Sequence, residues 1–294
     1  MNEYARGLKS KKSRTVGVVL PEISNLFNMK IVAVFERVLQ ENGYSVIVTD
    51  CQNNLEQEAS SVDFLLKKQV DGIINVPIGS SSRHLRPAVE KKVPILLLDR
   101  PLEDLNGVAS CVLIDNRGAA RLGVRRLLQA GHRRIGVLVG SDEVHTAQMR
   151  LRGYRDALEE YGVEYDESLV RRCDLTLEGG YRQARRLLKA NTGMTAMFLT
   201  NYDLTLGALI ALNERGVQIP GEMSVVGFDN IMDLSRVFRP SLTIVSQPLE
   251  QIGLQAARLM LDQLSGGKDA TPMTITLAAS LKEGGSVEAP PAQS

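Results

Sequence analysis

The sequence lacks the motifs on which the commonest enzyme chemistries are built. In 294 residues there is no GxGxxG after a strand-like run, no GxxxxGK(S/T), no GxSxG and no HExxH. These absences remove the usual signatures of dinucleotide binding, phosphate-loop nucleotide binding, serine hydrolysis and zinc proteolysis. The three histidines, His84, His132 and His145, do not cluster. His84 lies in the polar stretch 80–86 and reads as exposed. His132 follows a helix end in Gly131–His132–Arg133–Arg134, where a hydrogen-bonding side chain suits free carbonyls, so capping is expected there. No catalytic residue, metal ligand or cofactor is expected.

Cysteine is scarce as well. Cys51, Cys111 and Cys173 are odd in number, widely spaced and in no CxxC pair. They exclude a disulfide framework and read as reduced thiols serving as small core hydrophobes in a cytoplasmic protein. No apolar run approaches the length that spans a bilayer. The N-terminus is charged and carries no apolar h-region, so no signal peptide is visible.

What is present is a basic arm running into a long alternation of strands and helices. Arg6, Lys9, Lys11, Lys12 and Arg14 face a single acid, Glu3, so residues 1–14 carry about +4 of a net +1 and the rest about −3. Cationic residues beside a rigid scaffold suit a polyanion, and the near-neutral body argues against nucleic-acid binding over its whole surface. Strand-like runs are Thr15–Leu20, Ser45–Thr49, Gly72–Val76, Ile95–Leu98, Cys111–Ile114, Ile135–Val139, Met197–Thr200, Ser224–Gly227 and Thr243–Ser246. Most are continuously aliphatic, the mark of parallel strands covered on both faces. Between them, Ile31, Val34, Phe35, Val38 and Leu39 recur at helical spacing and stop at Gly43; Leu122, Leu127 and Leu128 do so before Gly131. The alternation predicts an α/β architecture of two doubly wound parallel-sheet subdomains.

The division is expected at Ile114–Asp115–Asn116, with a second crossover near Arg239–Pro240. This gives a basic arm over 1–14, an N-terminal subdomain over 15–114 plus 243–268, a C-terminal subdomain over 115–242 plus 269–284, and a disordered tail over 285–294. Several crossings make a hinge, and hinge closure is a standard response to a ligand.

In open α/β sheets ligands sit beyond the carboxyl ends of the strands. The residues just past each strand are Phe27, Asn28, Asp50, Asp99 and Arg100 in the first half. In the second they are Thr146, Arg150, Asn201 and Asp229, with Gln247 at a crossover. A carboxylate that accepts hydroxyl protons, a guanidinium that donates in a fixed fork, amides and an aromatic floor suit a neutral polyhydroxy ligand. Each of these residues taken singly also reads as a helix cap or turn residue, Asp229 above all.

Taken in order, the motifs resemble those of the lactose-repressor (LacI/GalR-type) transcription regulators, whose core is similar to a type I periplasmic sugar-binding protein. The resemblance runs from Tyr4 to about Gly285. It is carried by Ala5–Arg6–Gly7–Leu8 before Thr15–Pro21, and by Ile23–Phe27, Val70–Ile74, Leu98–Asp99–Arg100 and Gly131–Gly136. Arg150–Tyr154, Val225–Asp229 and Leu242–Pro248 complete it. The resemblance implies effector contacts at Phe27, Asn28, Asp99, Thr146, Arg150, Asn201, Asp229 and Gln247, with Arg150 as the polar anchor. Where the family commonly has Asn-Asp, this chain reads Asn201–Tyr202. The resemblance also implies a homodimer formed through side-by-side helices. The arm resembles the family's hinge helix, with Leu8 as a wedge for the minor groove of operator DNA, flanked by Arg6 and Lys9. The helix-turn-helix head that the resemblance places ahead of Tyr4 is not in this sequence. The expected function is therefore the ligand-binding and dimerisation core of a transcription regulator, with a sugar-like compound or a nucleobase as its small-molecule effector. A free-standing sugar-binding protein of the transport type is the alternative.

Overall fold

The computed structural model describes residues 12–190, 192–231, 239–266 and 271–291, so Arg6, Leu8 and Lys9 of the basic arm lie outside the described residues. The chain runs β1 (Thr15–Leu20), α1 (Leu26–Glu41), β2 (Ser45–Asp50), α2 (Leu55–Lys67), β3 (Gly72–Asn75), α3 (Arg86–Glu90), β4 (Ile95–Leu98) and β5 (Ser110–Ile114). It continues through α4 (Asn116–Gln129), β6 (Ile135–Val139), α5 (His145–Glu160), β7 (Val170–Arg172), α6 (Leu177–Lys189), β8 (Ala196–Leu199), α7 (Tyr202–Glu214), β9 (Ser224–Phe228) and β10 (Thr243–Ser246). It closes with α8 (Leu249–Gly266), β11 (Thr274–Leu277) and β12 (Ser280–Lys282).

These elements form two α/β units, one built from the chain up to Ile114 with Leu249–Leu277, the other from Asp115–Pro248 with the chain from Ala278. The first unit's sheet has the order β11-β5-β4-β3-β1-β2 and the second's β12-β10-β9-β8-β6-β7. Among the described residues every strand pairing is parallel except that of β12 with β10. The two orders correspond strand for strand, as in a duplicated doubly wound half. The central strands β3, β4, β6, β8 and β9 are buried at every position, which accounts for their aliphatic character.

Helix starts are written by polar residues just past the strands. Asn25, Asn54, Asp115, Thr176 and Asn201 each accept a backbone N–H of the first turn of the helix that follows, satisfying donors the helix cannot. In the first unit α8 lies against α1. Gly253 permits that approach, since a Cβ there would stand 2.5 Å from the Val34 Cβ. The first unit's main core joins Phe35, Ile74 and Leu96 to Met260; the second's joins Val124, Tyr154, Phe198 and Phe228.

Three boundaries differ from the sequence expectation. Strand β10 hydrogen-bonds to β9, pairing Thr243 with Val226 and Ile244 with Gly227, so 243–248 belongs to the second unit rather than the first. Strand β11 pairs with β5, Thr274 opposite Cys111, so the chain over 271–277 belongs to the first unit rather than the second. The crossovers therefore fall at Pro248/Leu249 and Leu277/Ala278. The reason is that β10 and β11 extend sheets whose covering helices already match their apolar residues, with Val245 in the second core and Ile275 against the first. The third correction concerns the tail. Ser286 and Val287 are buried, the Thr243 N–H donates to the Ser286 Oγ at 2.8 Å, and the Val225 N–H donates to the Ser286 carbonyl at 2.9 Å. Residues 285–291 are thus packed onto the second unit and not a disordered extension.

Candidate functional site

The second unit gathers most of the polar residues that the sequence singles out. Arg150 stands in the second turn of α5 with its side chain buried, at 6% exposure. Its Nε donates to the Asn116 Oδ1 at 2.8 Å and its Nη1 to the Thr200 carbonyl at 2.5 Å. The guanidinium lies over the Phe228 ring, 4.1 Å from its centroid, and the Phe198 ring packs edge-on against Phe228. Two acceptors and an aromatic face compensate a charge that would otherwise be costly to bury. The guanidinium is held rigid by groups on α4, β9 and the end of β8.

Asp229 follows Phe228 directly. Its backbone is left-handed, φ +67°, and its N–H donates across to the Val245 carbonyl at 2.8 Å. That turn of the chain, strained for a non-glycine residue, sets the carboxylate beyond the strand end. The Gln247 Nε2 donates to the Asp229 Oδ1 at 2.6 Å. The Gln247 Oε1 is buried and has no hydrogen-bond partner among the described residues. An acceptor in that state is a place for a ligand donor. Thr146 is buried one turn before Arg150, at the spacing that shares a helix face. Asn201 follows Thr200, and its Oδ1 is engaged as the cap of α7 by the Leu204 N–H at 2.8 Å. The neighbouring Tyr202 is buried, which pushes its hydroxyl pKa upward.

The first unit repeats one feature. Asp99 follows β4 as Asp229 follows β9, with φ +66° and its N–H donating to the Val112 carbonyl at 3.0 Å. Its Oδ2 lies 3.7 Å from the Arg100 Nε, and the Arg100 Nη1 donates to the Pro77 carbonyl at 3.0 Å. The Asp99 Oδ1 is buried without a hydrogen-bond partner among the described residues. Asn28 is buried in the first turn of α1, and Phe27 is half-buried against the first core. Asp50, by contrast, closes a local turn through the Gln52 N–H.

Sequence reasoning missed several groups. Asn116 reads as a helix opener and Phe228 as the end of a strand, and nothing local marks either as a support for Arg150. His84 is not exposed. Its Nε2 stands 3.2 Å from the Asn75 Oδ1 and 3.5 Å from the Glu58 Oε1, and burial lowers its pKa. Glu58 is itself buried and accepts the Ile78 N–H, fixing the chain after β3. The His132 ring does not cap a helix either; it stands 2.8 Å from the Thr195 Oγ1 and 2.9 Å from the Glu288 carbonyl, while Arg133 reaches the Leu128 carbonyl. Burial raises the thiol pKa of Cys51 to about 11 and of Cys111 and Cys173 to about 12, far from nucleophilic. Among the described residues no group of three or more His, Cys, Asp or Glu could hold a metal ion. Among them, too, no helix is long and apolar enough to cross a membrane.

Comparison with known proteins gives the geometry its context. The family described as periplasmic binding proteins and sugar-binding domain of the LacI family matches residues 13–282. The chain is 34% identical over 268 residues to the HTH-type transcriptional repressor CytR of Escherichia coli K12, covering 89% of this chain and 76% of that protein. The structure of the transcriptional regulator CelR in complex with cellobiose superposes with a TM-score of 0.85 at 29% identity, over 96% of this chain and 89% of that one. A LacI family transcriptional regulator from Enterococcus faecium with bound ribose gives 0.82 at 25% identity, over 94% and 99%. The chain belongs to the LacI family, whose members here are transcriptional regulators and not enzymes, and it is the effector-binding core of a LacI/GalR-type transcriptional regulator.

Proposed function

We propose that the effector is a neutral polyhydroxy compound, a sugar or related metabolite, held in the second unit by Arg150, Asp229 and Gln247. The observation that carries this reading is a guanidinium fixed over the Phe228 ring, the residue just before Asp229, together with a buried Gln247 Oε1 that has no partner among the described residues. Vicinal hydroxyls supply what such a site takes: they donate to the carboxylate and the amide oxygen and accept from the guanidinium. The relatives bound to cellobiose and ribose support the same class. Thr146 and Asn201 are proposed as further contacts from the second unit, and Phe27, Asn28 and Asp99 from the first.

Effector binding would act as a population shift, favouring one arrangement of the units and so changing the affinity for operator DNA. DNA contact is assigned to Arg6, Leu8 and Lys9 and to a helix-turn-helix head of the kind such regulators carry. A homodimer in the cytoplasm is the proposed working form, and light scattering at a mass of two chains tests it. The functional reading is tested by a thermal-shift screen of pentoses, hexoses, disaccharides and nucleosides. A true effector raises the melting temperature by mass action, and the rise should vanish in Asp229→Ala while the protein stays folded. A compound that still shifts Asp229→Ala by the full amount would overturn the assignment.

A further inference from the structure

The two candidate effector-site charges of the second unit, Arg150 and Asp229, are each held by a buried amide, and both amides lie where the chain crosses between the units. Asn116 is the second residue after the Ile114/Asp115 crossover and Gln247 the second before Pro248/Leu249 is passed. They are 4% and 5% exposed. The amides are used in opposite senses, as the charges require: the Asn116 oxygen accepts from the cation at 2.8 Å, and the Gln247 nitrogen donates to the anion at 2.6 Å. Neither residue can shift far without moving backbone, because Asn116 opens α4 directly after the capping Asp115, and Gln247 is followed by Pro248. The remaining polar atom of Gln247, its Oε1, is buried and without a partner among the described residues, so a ligand hydroxyl that met it would bond to the crossover itself.

We propose that Asn116, as a positioning residue, and Gln247, which also meets the effector, tie the effector site's cation and anion to these two crossovers, so that filling the site orders the chain at residues 114–117 and 246–249. The inference rests on the reading of Arg150 and Asp229 as effector contacts. Conformational change in two-lobed binding proteins is absorbed by a few connecting residues, and a side-chain bond present in one arrangement biases which one is populated. An effector that fixes Arg150 fixes Asn116 through it. One that fixes Asp229 fixes Gln247.

The test has one arm without ligand and one with it, both on the full chain. In the first, the arginine Nε–H resonances are followed by nitrogen-edited NMR, that of Arg150 being identified by its loss in Arg150→Lys. Its exchange with solvent should be slow in the wild type and in Asn116→Asp, which keeps the acceptor, and at least tenfold faster in Asn116→Ala. In the second, backbone hydrogen exchange is measured with and without a saturating concentration of ribose or cellobiose. Both crossovers should gain at least threefold protection in the wild type, and Asn116→Ala should lose the gain at 114–117 while keeping that at 246–249. Equal Nε–H exchange in Asn116→Ala and the wild type, or full protection at both crossovers in that variant, overturns the proposal. If no sugar or nucleoside raises the wild-type melting temperature, the reading of the site falls, and the ligand-free arm still decides whether Asn116 positions Arg150.

Discussion

Replacing Arg150 by lysine keeps a positive charge on α5 and removes the planar fork, and the structure sets the size of the effect. The guanidinium donates to the Asn116 Oδ1 and the Thr200 carbonyl and stacks on Phe228 at 4.1 Å. An ammonium reaches one of those acceptors and stacks less well. Losing one buried hydrogen bond and leaving its acceptor unpaired costs about 1–3 kcal/mol. Weakened stacking adds about 0.5–1 kcal/mol. The variant should be destabilised by about 1.5–4 kcal/mol, which at about 2–4 °C per kcal/mol for a unit of this size lowers its melting temperature by about 3–16 °C. Effector affinity should fall further than stability accounts for. A charge-assisted hydrogen bond to a ligand is worth about 1.5–3 kcal/mol, so the dissociation constant should rise by about 10- to 100-fold. Calorimetric titration at a temperature where both proteins are fully folded separates the two effects. Affinity within twofold of the wild type would refute the role given to the fork.

Acidification should destabilise the protein through its buried histidines. Burial holds both His132 and His84 below the ordinary value of 6.5. A group whose folded pKa is depressed contributes stability that is fully present above its unfolded pKa and lost as pH falls through the lower folded value. Urea midpoints should therefore be level above pH 7 and fall below pH 6.5, with a shallower fall in His132→Gln; a midpoint independent of pH across that range contradicts the burial seen here. Gly153→Ala should destabilise strongly, since its Cβ would collide with the Arg117 carbonyl and force α4 from α5. An overpacked contact of this kind costs about 1–3 kcal/mol, readable as a lowered urea midpoint. Deleting residues 286–294 should expose the core beneath Val287 and lower the midpoint too, whereas a disordered tail would be removed without effect.

The central strands were legible because burial on both faces leaves an unbroken aliphatic run, and β1, β4, β6 and β10 begin and end where their composition changes. The strands that escaped, β7, β11 and β12, are sheet edges, short and partly exposed, with Arg171, Arg172, Thr276 and Lys282 among them. An edge strand is defined by its partner, which sequence does not name. The same limit explains the misplaced crossovers, since the sheet that β10 or β11 joins depends on register with strands far away in the chain. The site was legible in its charges, because Arg150 and Asp229 fall just past strands in recognisable motifs. Their supports were not. Asn116, 34 residues before Arg150, becomes its partner only when α4 packs against α5. His84 and Glu58 look like surface residues until the chain after β3 closes over them, and the tail looked disordered because Gly, Pro, Ala and Ser hide the one apolar residue, Val287, that anchors it.

The most direct test of the effector site is a crystal structure of the chain with the compound that raises its melting temperature most. The account predicts hydroxyls of that compound within hydrogen-bond distance of the Arg150 guanidinium, the Asp229 carboxylate and the Gln247 Oε1. A tightly bound compound that touches none of these three would contradict it.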